Sequence, residues 1–296
     1  MANIYTHKDA NIRKTYILFA GFLIFIIGLG WVFGNLYGNP SILYFAVFFS
    51  AVMSILSYWF SDKVVLSIAK AKPIEKKNNP ELYRIVENLS IAAGLPTPKI
   101  YIIDEDAPNA FATGRDPEHG VVAVTSGLLR RLDRNELSGV IAHELSHIGN
   151  RDILIGTVAV ILVGLVSLLA DFFLRTTLFG RRGRGGGHAY FLIIGIVLSI
   201  LAPIAATLIR LAISRRRESL ADASSALLTR YPEGLASALQ KIAADSTQMP
   251  SAHNATAHLW VSDPFKNQAK TSMLHKLFMT HPPIEERIRA LREMQA

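Results

Sequence analysis

Two long segments without a charged residue, both near the N-terminus, place the strongest limit on how this chain can fold. They run from Thr15 to Gly34 and from Ser41 to Phe60. A helix of about 20 apolar residues spans the hydrocarbon core of a bilayer, so each segment is long enough to cross it. The link between them, NLYGNP, is short, uncharged and rich in turn-forming residues. The sequence therefore predicts a helical membrane hairpin, and the mean hydropathy of +0.29 agrees with it.

Two later apolar segments predict a second hairpin. Ile153–Leu174 contains Asp171 near its far end, and Tyr190–Ile213 contains Pro203 and Arg210. With the first hairpin they would give up to four transmembrane helices. The alternative is that these two segments are core helices buried in protein.

Basic residues set the expected orientation of the first hairpin, because cytoplasmic loops carry an excess of lysine and arginine. Its own loop has none, whereas both flanks are basic, with Lys8, Arg13 and Lys14 before it and Lys63, Lys70, Lys72, Lys76 and Lys77 after it. We therefore expect a multi-pass membrane protein whose N-terminus and whose polar region after Phe60, which carries the candidate site described below, face the cytoplasm. The second hairpin conflicts with this rule, since its Gly-rich loop carries four arginines and would face outside. That hairpin either spans against its local charge, or is buried in protein, or enters the membrane only part way.

The polar stretch 61–152 predicts a small α/β region. Asn79 is placed as an N-cap and Gly94 as the stop of a helix between them. The segments Lys99–Asp104, Asn109–Gly114 and His119–Leu129 are short, apolar or β-rich, and separated by turn residues. We expect them to form a small antiparallel sheet.

A metal-binding pattern follows in the sequence HELSH. His143 and His147 are four residues apart, so on a helix both imidazoles face one ion. Glu144 lies about 100° further around the helix, where it can take a proton from a water molecule as general base. The chain has no cysteine, so any metal must be held by histidines and carboxylates. The alternative is an amphipathic helix whose histidines make ordinary hydrogen bonds.

A third ligand is predicted just after the fourth apolar segment. Glu218 and Asp222 are four residues apart and share one helical face. Glu218 would complete a His₂Glu site, and Asp222 could hydrogen-bond the outer nitrogen of a ligand histidine. The alternative is a solvated face on which the two carboxylates pair with the neighbouring arginines.

Four stretches of the sequence together resemble a known protein family. In chain order they are PNAFATGR, HELSHIGNRD, RRRESLADASSA and THPPIEERI. They resemble the HtpX family of membrane-bound zinc metalloproteases, which are related to the CaaX-processing proteases. The resemblance covers essentially the whole chain. It implies a bacterial or archaeal inner-membrane endopeptidase that degrades damaged or misassembled membrane proteins. It also implies that Glu218 is the third ligand of one Zn²⁺ per subunit.

The expected fold is thus a mainly α membrane protein with an α+β zincin-like catalytic domain. Residues 1–60 would form the first hairpin, and residues 61–152 the first part of the catalytic domain with the zinc helix. Residues 153–213 would form the second hairpin, and residues 214–296 the part that carries the third ligand. We expect the second hairpin to bring the two ligand helices together at the membrane surface.

Two weaker motifs complete the predicted site. Asn109, Ala110 and Phe111 would lie at the sheet edge, where an extended substrate can add as a further strand. The alternative there is a structural turn that needs Gly114. His281 precedes two prolines and would stabilise an oxyanion or bind substrate, or else belong to the cap of the last helix.

The predicted function is a membrane-anchored, zinc-dependent endopeptidase that acts on membrane-protein substrates at the bilayer. One alternative is a non-proteolytic membrane quality-control scaffold, and another is a specific CaaX-like processing protease. Nucleic acid is not an expected partner. The formal charge of +8 comes from residues that cluster at the membrane flanks, without a base-stacking motif. No oligomeric state follows from the sequence.

Overall fold

A computed structural model of the protein describes residues 4–36, 38–158, 215–250, 256–264 and 282–294. Most of the predicted second hairpin, and with it the expectation that this hairpin joins the two ligand helices, lies outside the described residues. The same holds for His281.

Two long helices form the N-terminal hairpin, α1 (Ile4–Leu36) and α2 (Ser41–Ile68). Both are long and apolar enough to cross a membrane, over Asn11–Asn35 and Ser41–Ile68. Large apolar side chains point away from the protein along them, and Tyr44 is 71% exposed. Such a surface suits lipid rather than water. The prediction of two membrane-length helices is confirmed.

The end of α2 joins the hairpin to the rest of the protein. This helix continues past Phe60, and Val65 and Leu66 are buried in a cluster with Ile103, Phe111 and other residues of the catalytic region. The hairpin is therefore anchored in the protein core.

The sheet has four strands, β1 (Lys72–Pro73), β2 (Lys99–Ile103), β3 (Ala110–Thr113) and β4 (Val121–Thr125). Their order is β1-β2-β4-β3. The expectation of an antiparallel sheet is wrong for one pair, because β2 and β4 run parallel, so the sheet is mixed. After β2 the chain passes beyond the position of β4 and forms β3 at the edge of the sheet. The β3–β4 hairpin then brings β4 back beside β2, so that both strands run in the same direction.

Helices cover the sheet and surround the site: α3 (Pro80–Ala93), α4 (Ser126–Arg131), α5 (Arg134–Gly149), α6 (Arg215–Thr229), α7 (Pro232–Ala244) and α8 (Ile284–Glu293). The predicted start and stop of α3 are confirmed. The Asn79 side chain accepts a hydrogen bond from the Leu82 amide, and Gly94 adopts the left-handed conformation with φ +66°. The last part of the expected third strand is instead α4, because the Thr125 side chain caps a helix by accepting from the Leu128 amide.

Helix α5 is the central element of the catalytic region. Asp133 and Glu136, in the sequence DRNE, form a capping box at its start. Its middle is fully buried between the sheet and helices α3, α6 and α7. Gly139 allows α7 to approach closely, since a β-carbon at this position would lie 2.6 Å from the Leu235 amide nitrogen. This packing fixes the orientation of the helix that carries the histidine motif.

Candidate metal centre

Helix α5 presents both histidines of the HELSH motif to one point. The Nε2 atoms of His143 and His147 lie 3.1 Å apart, and the two rings meet edge to face. His143 is 1% exposed. Two imidazole nitrogens this close repel each other unless a proton or a cation lies between them, which is the arrangement a shared metal ion requires.

Helix α6 brings Glu218 to the same point from across the site. Its Oε2 lies 3.7 Å from His143 Nε2, and its Oε1 lies 3.6 Å from His147 Nε2. All three ligand atoms fall within 4.8 Å of one another. Tetrahedral zinc with ligands at about 2.0–2.2 Å needs neighbouring ligand atoms about 3.3–3.6 Å apart. The three side chains therefore fit a single zinc ion.

A carboxylate lies beside the outer nitrogen of each histidine. Asp222 Oδ1 is 3.0 Å from His143 Nδ1, and Asp152 Oδ2 is 3.1 Å from His147 Nδ1. Carboxylates in this position hold the ring with Nε2 free to coordinate metal. The sequence predicted the place of Asp222. It did not single out Asp152, which follows the helix end by a non-helical turn.

Arg287 is a second residue that the sequence analysis missed. From α8 it donates to both oxygens of Asp222, at 2.9 Å from Nε and 2.7 Å from Nη2, and from Nη1 to the Val261 carbonyl at 3.1 Å. Burial would raise the pKa of Asp222, but Arg287 and then His143 lower it to about 2. Asp222 is therefore ionised at neutral pH. The signal lay within THPPIEERI, which contributed only to the family resemblance.

The two histidines differ in their affinity for protons in the metal-free protein. Burial lowers the pKa of His143, and the Asp222 carboxylate opposes this only in part. Burial would also lower the pKa of His147, but the hydrogen bond to Asp152 and the charges of Glu218 and Glu144 raise it to about 9. A metal ion must therefore displace a proton from His147 at neutral pH.

The charges around this point favour a divalent cation. Four buried carboxylates face two buried guanidinium groups in this part of the structure, which leaves a surplus of two negative charges once a metal ion has displaced the proton of His147. These are Glu144, Asp152, Glu218 and Asp222 against Arg217 and Arg287. Buried charge is costly unless it is compensated, and an ion of charge +2 would balance this surplus.

Glu144 borders the cavity at the candidate metal centre. It is 2% exposed and follows His143 on α5. The cavity has a volume of about 50 Å³, which is room for a few water molecules. Its lining also includes Ala112 from β3 and Trp260. A water molecule in this space would lie beside a carboxylate that can accept its proton.

The predicted substrate strand lies at the edge of the sheet, as the strand order requires. Asn109 exchanges hydrogen bonds with Ser262, at 2.8 Å from its Nδ2 and 3.2 Å to its Oδ1, and the Ala110 carbonyl accepts from the Val261 amide at 2.9 Å. Phe111 packs edge to face on Trp260. These three residues thus contact the protein's own segment 260–262, and Ala112 is the β3 residue that lines the cavity.

Comparison with known proteins identifies the family. Residues 76–295 match the family model described as peptidase family M48, which is more than half of the chain. This chain belongs to peptidase family M48. Its M48 relatives include a "Protease HtpX homolog" of Tropheryma whipplei (strain Twist), 44% identical over 291 residues and 98% of each chain. Others with this name come from Syntrophobacter fumaroxidans, 47% identical over 95% of this chain and 98% of the relative, and Thermococcus kodakarensis, 46% identical over 95% of each.

A solved structure supports the same fold. The crystal structure of S. mikatae Ste24p matches with a TM-score of 0.51 and 20% identity, and covers 97% of this chain and 67% of that one. The resemblance to the HtpX family and the expected mainly α fold are thus confirmed. As an M48 peptidase with two membrane-length helices, the protein is a membrane metalloprotease. The family implies a metal, and His143, His147 and Glu218 are a group that could hold it.

Proposed function

We propose that this M48 peptidase is a zinc endopeptidase that cleaves damaged or misfolded membrane proteins at the cytoplasmic face of the inner membrane. The observation that carries the proposal is the convergence of His143, His147 and Glu218 beside Glu144. Three protein ligands with a fourth position open are typical of catalytic zinc, whereas structural zinc sites are closed by four. Two histidines and a carboxylate, without cysteine, favour zinc over softer or harder ions.

The protein's own residues then have separate roles. Zinc at such a site polarises a peptide carbonyl and makes a water molecule more acidic. Glu144 takes the proton of the attacking water and returns it to the leaving amine. Asp222 and Asp152 hold the ligand histidines in orientation. The edge of β3 beside Ala112 would receive an extended substrate backbone. A contribution of His281 remains a prediction from sequence.

The position of the site supports membrane proteins as substrates. Asn11, the first residue of the first candidate span, donates to the Asn150 carbonyl and to Asp152 beside the metal ligands. The cavity at the candidate metal centre would therefore lie at the membrane surface, within reach of the loops and chain ends of membrane proteins. The basic flanks of the hairpin support the cytoplasm as the side on which this surface lies. We also propose that the chain is divided as the sequence predicts, into two hairpins (1–60 and 153–213) and two parts of one catalytic domain (61–152 and 214–296), and that this arrangement holds the site at the membrane surface.

Proteolysis by the full-length protein in detergent tests this function. The wild type should cleave both unfolded casein and a destabilised membrane protein. Glu144→Gln should reduce the cleavage rate at least about 100-fold, because a general base typically accelerates the reaction about 10²–10⁴-fold. Ser138→Ala is a matched control on the same helix, since the Ser138 hydroxyl donates to the Arg134 carbonyl within that helix. Casein left intact by the wild type would indicate a dedicated processing protease. Undiminished cleavage by zinc-loaded Glu144→Gln would contradict the proposed role of Glu144.

A further inference from the structure

The first membrane helix contributes a buried polar side chain to the surroundings of the metal centre. Asn11 is 3% exposed, and its Nδ2 donates to Asp152 Oδ1 at 2.7 Å and to the Asn150 carbonyl at 3.0 Å. Both acceptors lie about 140 residues away along the chain. An amide buried at the start of a membrane helix loses its hydration, so its contacts need a structural or functional reason.

Asp152 is the residue through which Asn11 reaches the metal centre. One oxygen of Asp152 is 3.1 Å from His147 Nδ1, and the other accepts from Asn11. Helix α5 ends at Gly149, and Arg151 has a φ of +57°, so Asp152 sits after an irregular turn. The geometry of α5 therefore does not fix the position of this carboxylate, because Asp152 begins the next helical stretch. Asn11 fixes it twice, by holding the carboxylate itself and the Asn150 carbonyl at the helix end.

The same amide also contacts the second ligand helix. Arg217 precedes the ligand Glu218 on α6 and is buried, and its Nη1 donates to Asp152 Oδ1 at 3.3 Å and to Asn11 Oδ1 at 3.4 Å. Asn11 thus connects the end of α5 with the start of α6. Apolar packing supports this connection, since Leu154 and Val158 belong to the same buried cluster as Phe22 and Ile26 of α1.

We infer that Asn11 is a positioning residue of the metal centre, and that the first membrane helix is thereby part of the zinc site and not only an anchor. Asn11 holds Asp152 against His147, and Asp152 holds the imidazole in the orientation that binds zinc. This inference rests on the zinc site proposed above. Residues that orient a metal-bound histidine typically change metal affinity by about 10–100-fold when they are replaced.

Zinc affinity of the full-length protein in detergent, measured by competition with a chromophoric chelator, tests the inference. Asn11→Leu has a similar size and removes every polar contact, so it should weaken zinc binding about 10–100-fold. Thr15→Val is the matched control, since Thr15 lies one turn further on α1, is equally buried, and donates its hydroxyl to the backbone carbonyl of Asn11. It should bind zinc within about twofold of wild type. Wild-type affinity in Asn11→Leu would overturn the inference.

Two further readouts separate positioning from a purely structural role. A structural role lowers the Tm of the zinc-loaded and the chelator-treated protein equally, whereas positioning reduces the gain in Tm that zinc provides. The visible spectrum of the cobalt-substituted protein should change in Asn11→Leu and not in Thr15→Val. If Asn11→Leu does not fold, Asn11→Ser removes the same contacts with a polar side chain and is measured in its place. An unchanged gain in Tm in that variant would also overturn the inference.

A double-mutant cycle checks that Asn11 acts through Asp152. Asp152→Asn alone should weaken zinc binding, and adding Asn11→Leu should then cost clearly less than it does in the wild type. Full additivity would mean that Asn11 does not act by way of Asp152. If the wild-type protein binds no zinc at all, the proposed function fails. If the wild type binds zinc and Asn11→Leu binds it equally well, only this inference fails.

Discussion

Removing Arg287 should destabilise the protein strongly, because this side chain is the partner of a buried carboxylate. Arg287 is 3% exposed and binds both oxygens of Asp222. Arg287→Met keeps most of the side-chain volume but leaves Asp222 charged and without its guanidinium. Removing one member of a buried ion pair costs about 3–5 kcal/mol.

The pKa of Asp222 gives an independent magnitude for the stability that Arg287→Met should lose. It is held at about 2, against an ordinary value of 3.8. A depression of this size corresponds to about 2–3 kcal/mol of stability, which is present above pH 4 and is lost as pH falls through about 2. Arg287 is the first of the groups that lower this pKa, so most of this stability should disappear at pH 7 in the variant. The depressed pKa and the cost of breaking a buried ion pair together predict a loss of about 2–5 kcal/mol.

Thermal unfolding of the chelator-treated protein in detergent is the assay. For a protein of this size the loss corresponds to a Tm lower by about 4–20 °C. Arg292→Met is the matched control on the same helix, because Arg292 pairs with Glu233 at the surface and exposed pairs contribute little. Adding Asp222→Asn to Arg287→Met should restore part of the lost Tm, since it removes the uncompensated charge. Equal Tm values for Arg287→Met and Arg292→Met would refute the reasoning.

Three further predictions concern the metal and the zinc helix. Zinc affinity, measured by chelator competition, should rise about tenfold per pH unit up to about pH 9 and then flatten, because zinc must displace a proton from His147. An affinity that does not depend on pH between 6 and 8 would contradict this prediction. Chelation should lower the Tm, and zinc at 100 times its Kd should restore about 2.7 kcal/mol; a Tm that zinc does not change would contradict a folded metal site. Gly139→Ala should lower the Tm even though alanine favours helices, because the added carbon would lie 2.6 Å from the Leu235 backbone; an unchanged Tm would show that α7 can move away.

The grouping of the candidate metal ligands could be predicted in part from the sequence, because its determinants are local. His143 and His147 share a helical face through their spacing alone, and the capping box in DRNE marks where their helix starts. Asp222 follows from the same rule, since it lies one turn after Glu218 on α6. In each case, residues four apart in the sequence lie on the same face of a helix, so their spacing alone indicates that their side chains point the same way.

The residues that hold these ligands could not be predicted in the same way. Arg287 reaches Asp222 from 65 positions away, and Asn11 reaches Asp152 from 141 positions away. No local period relates such pairs, because only the packing of α1 and α8 against the site brings them together. The parallel pairing of β2 with β4 has the same origin, since it depends on the path of the chain between strands.

The metal content of three purified proteins tests the central claim most directly. The account predicts about one zinc per chain in the wild type, about one in Glu144→Gln, and a strong loss in Glu218→Gln, because Glu218 is a ligand whereas Glu144 only moves protons. Zinc retained in full by Glu218→Gln, or lost from Glu144→Gln, would contradict the assignment of ligand and general base.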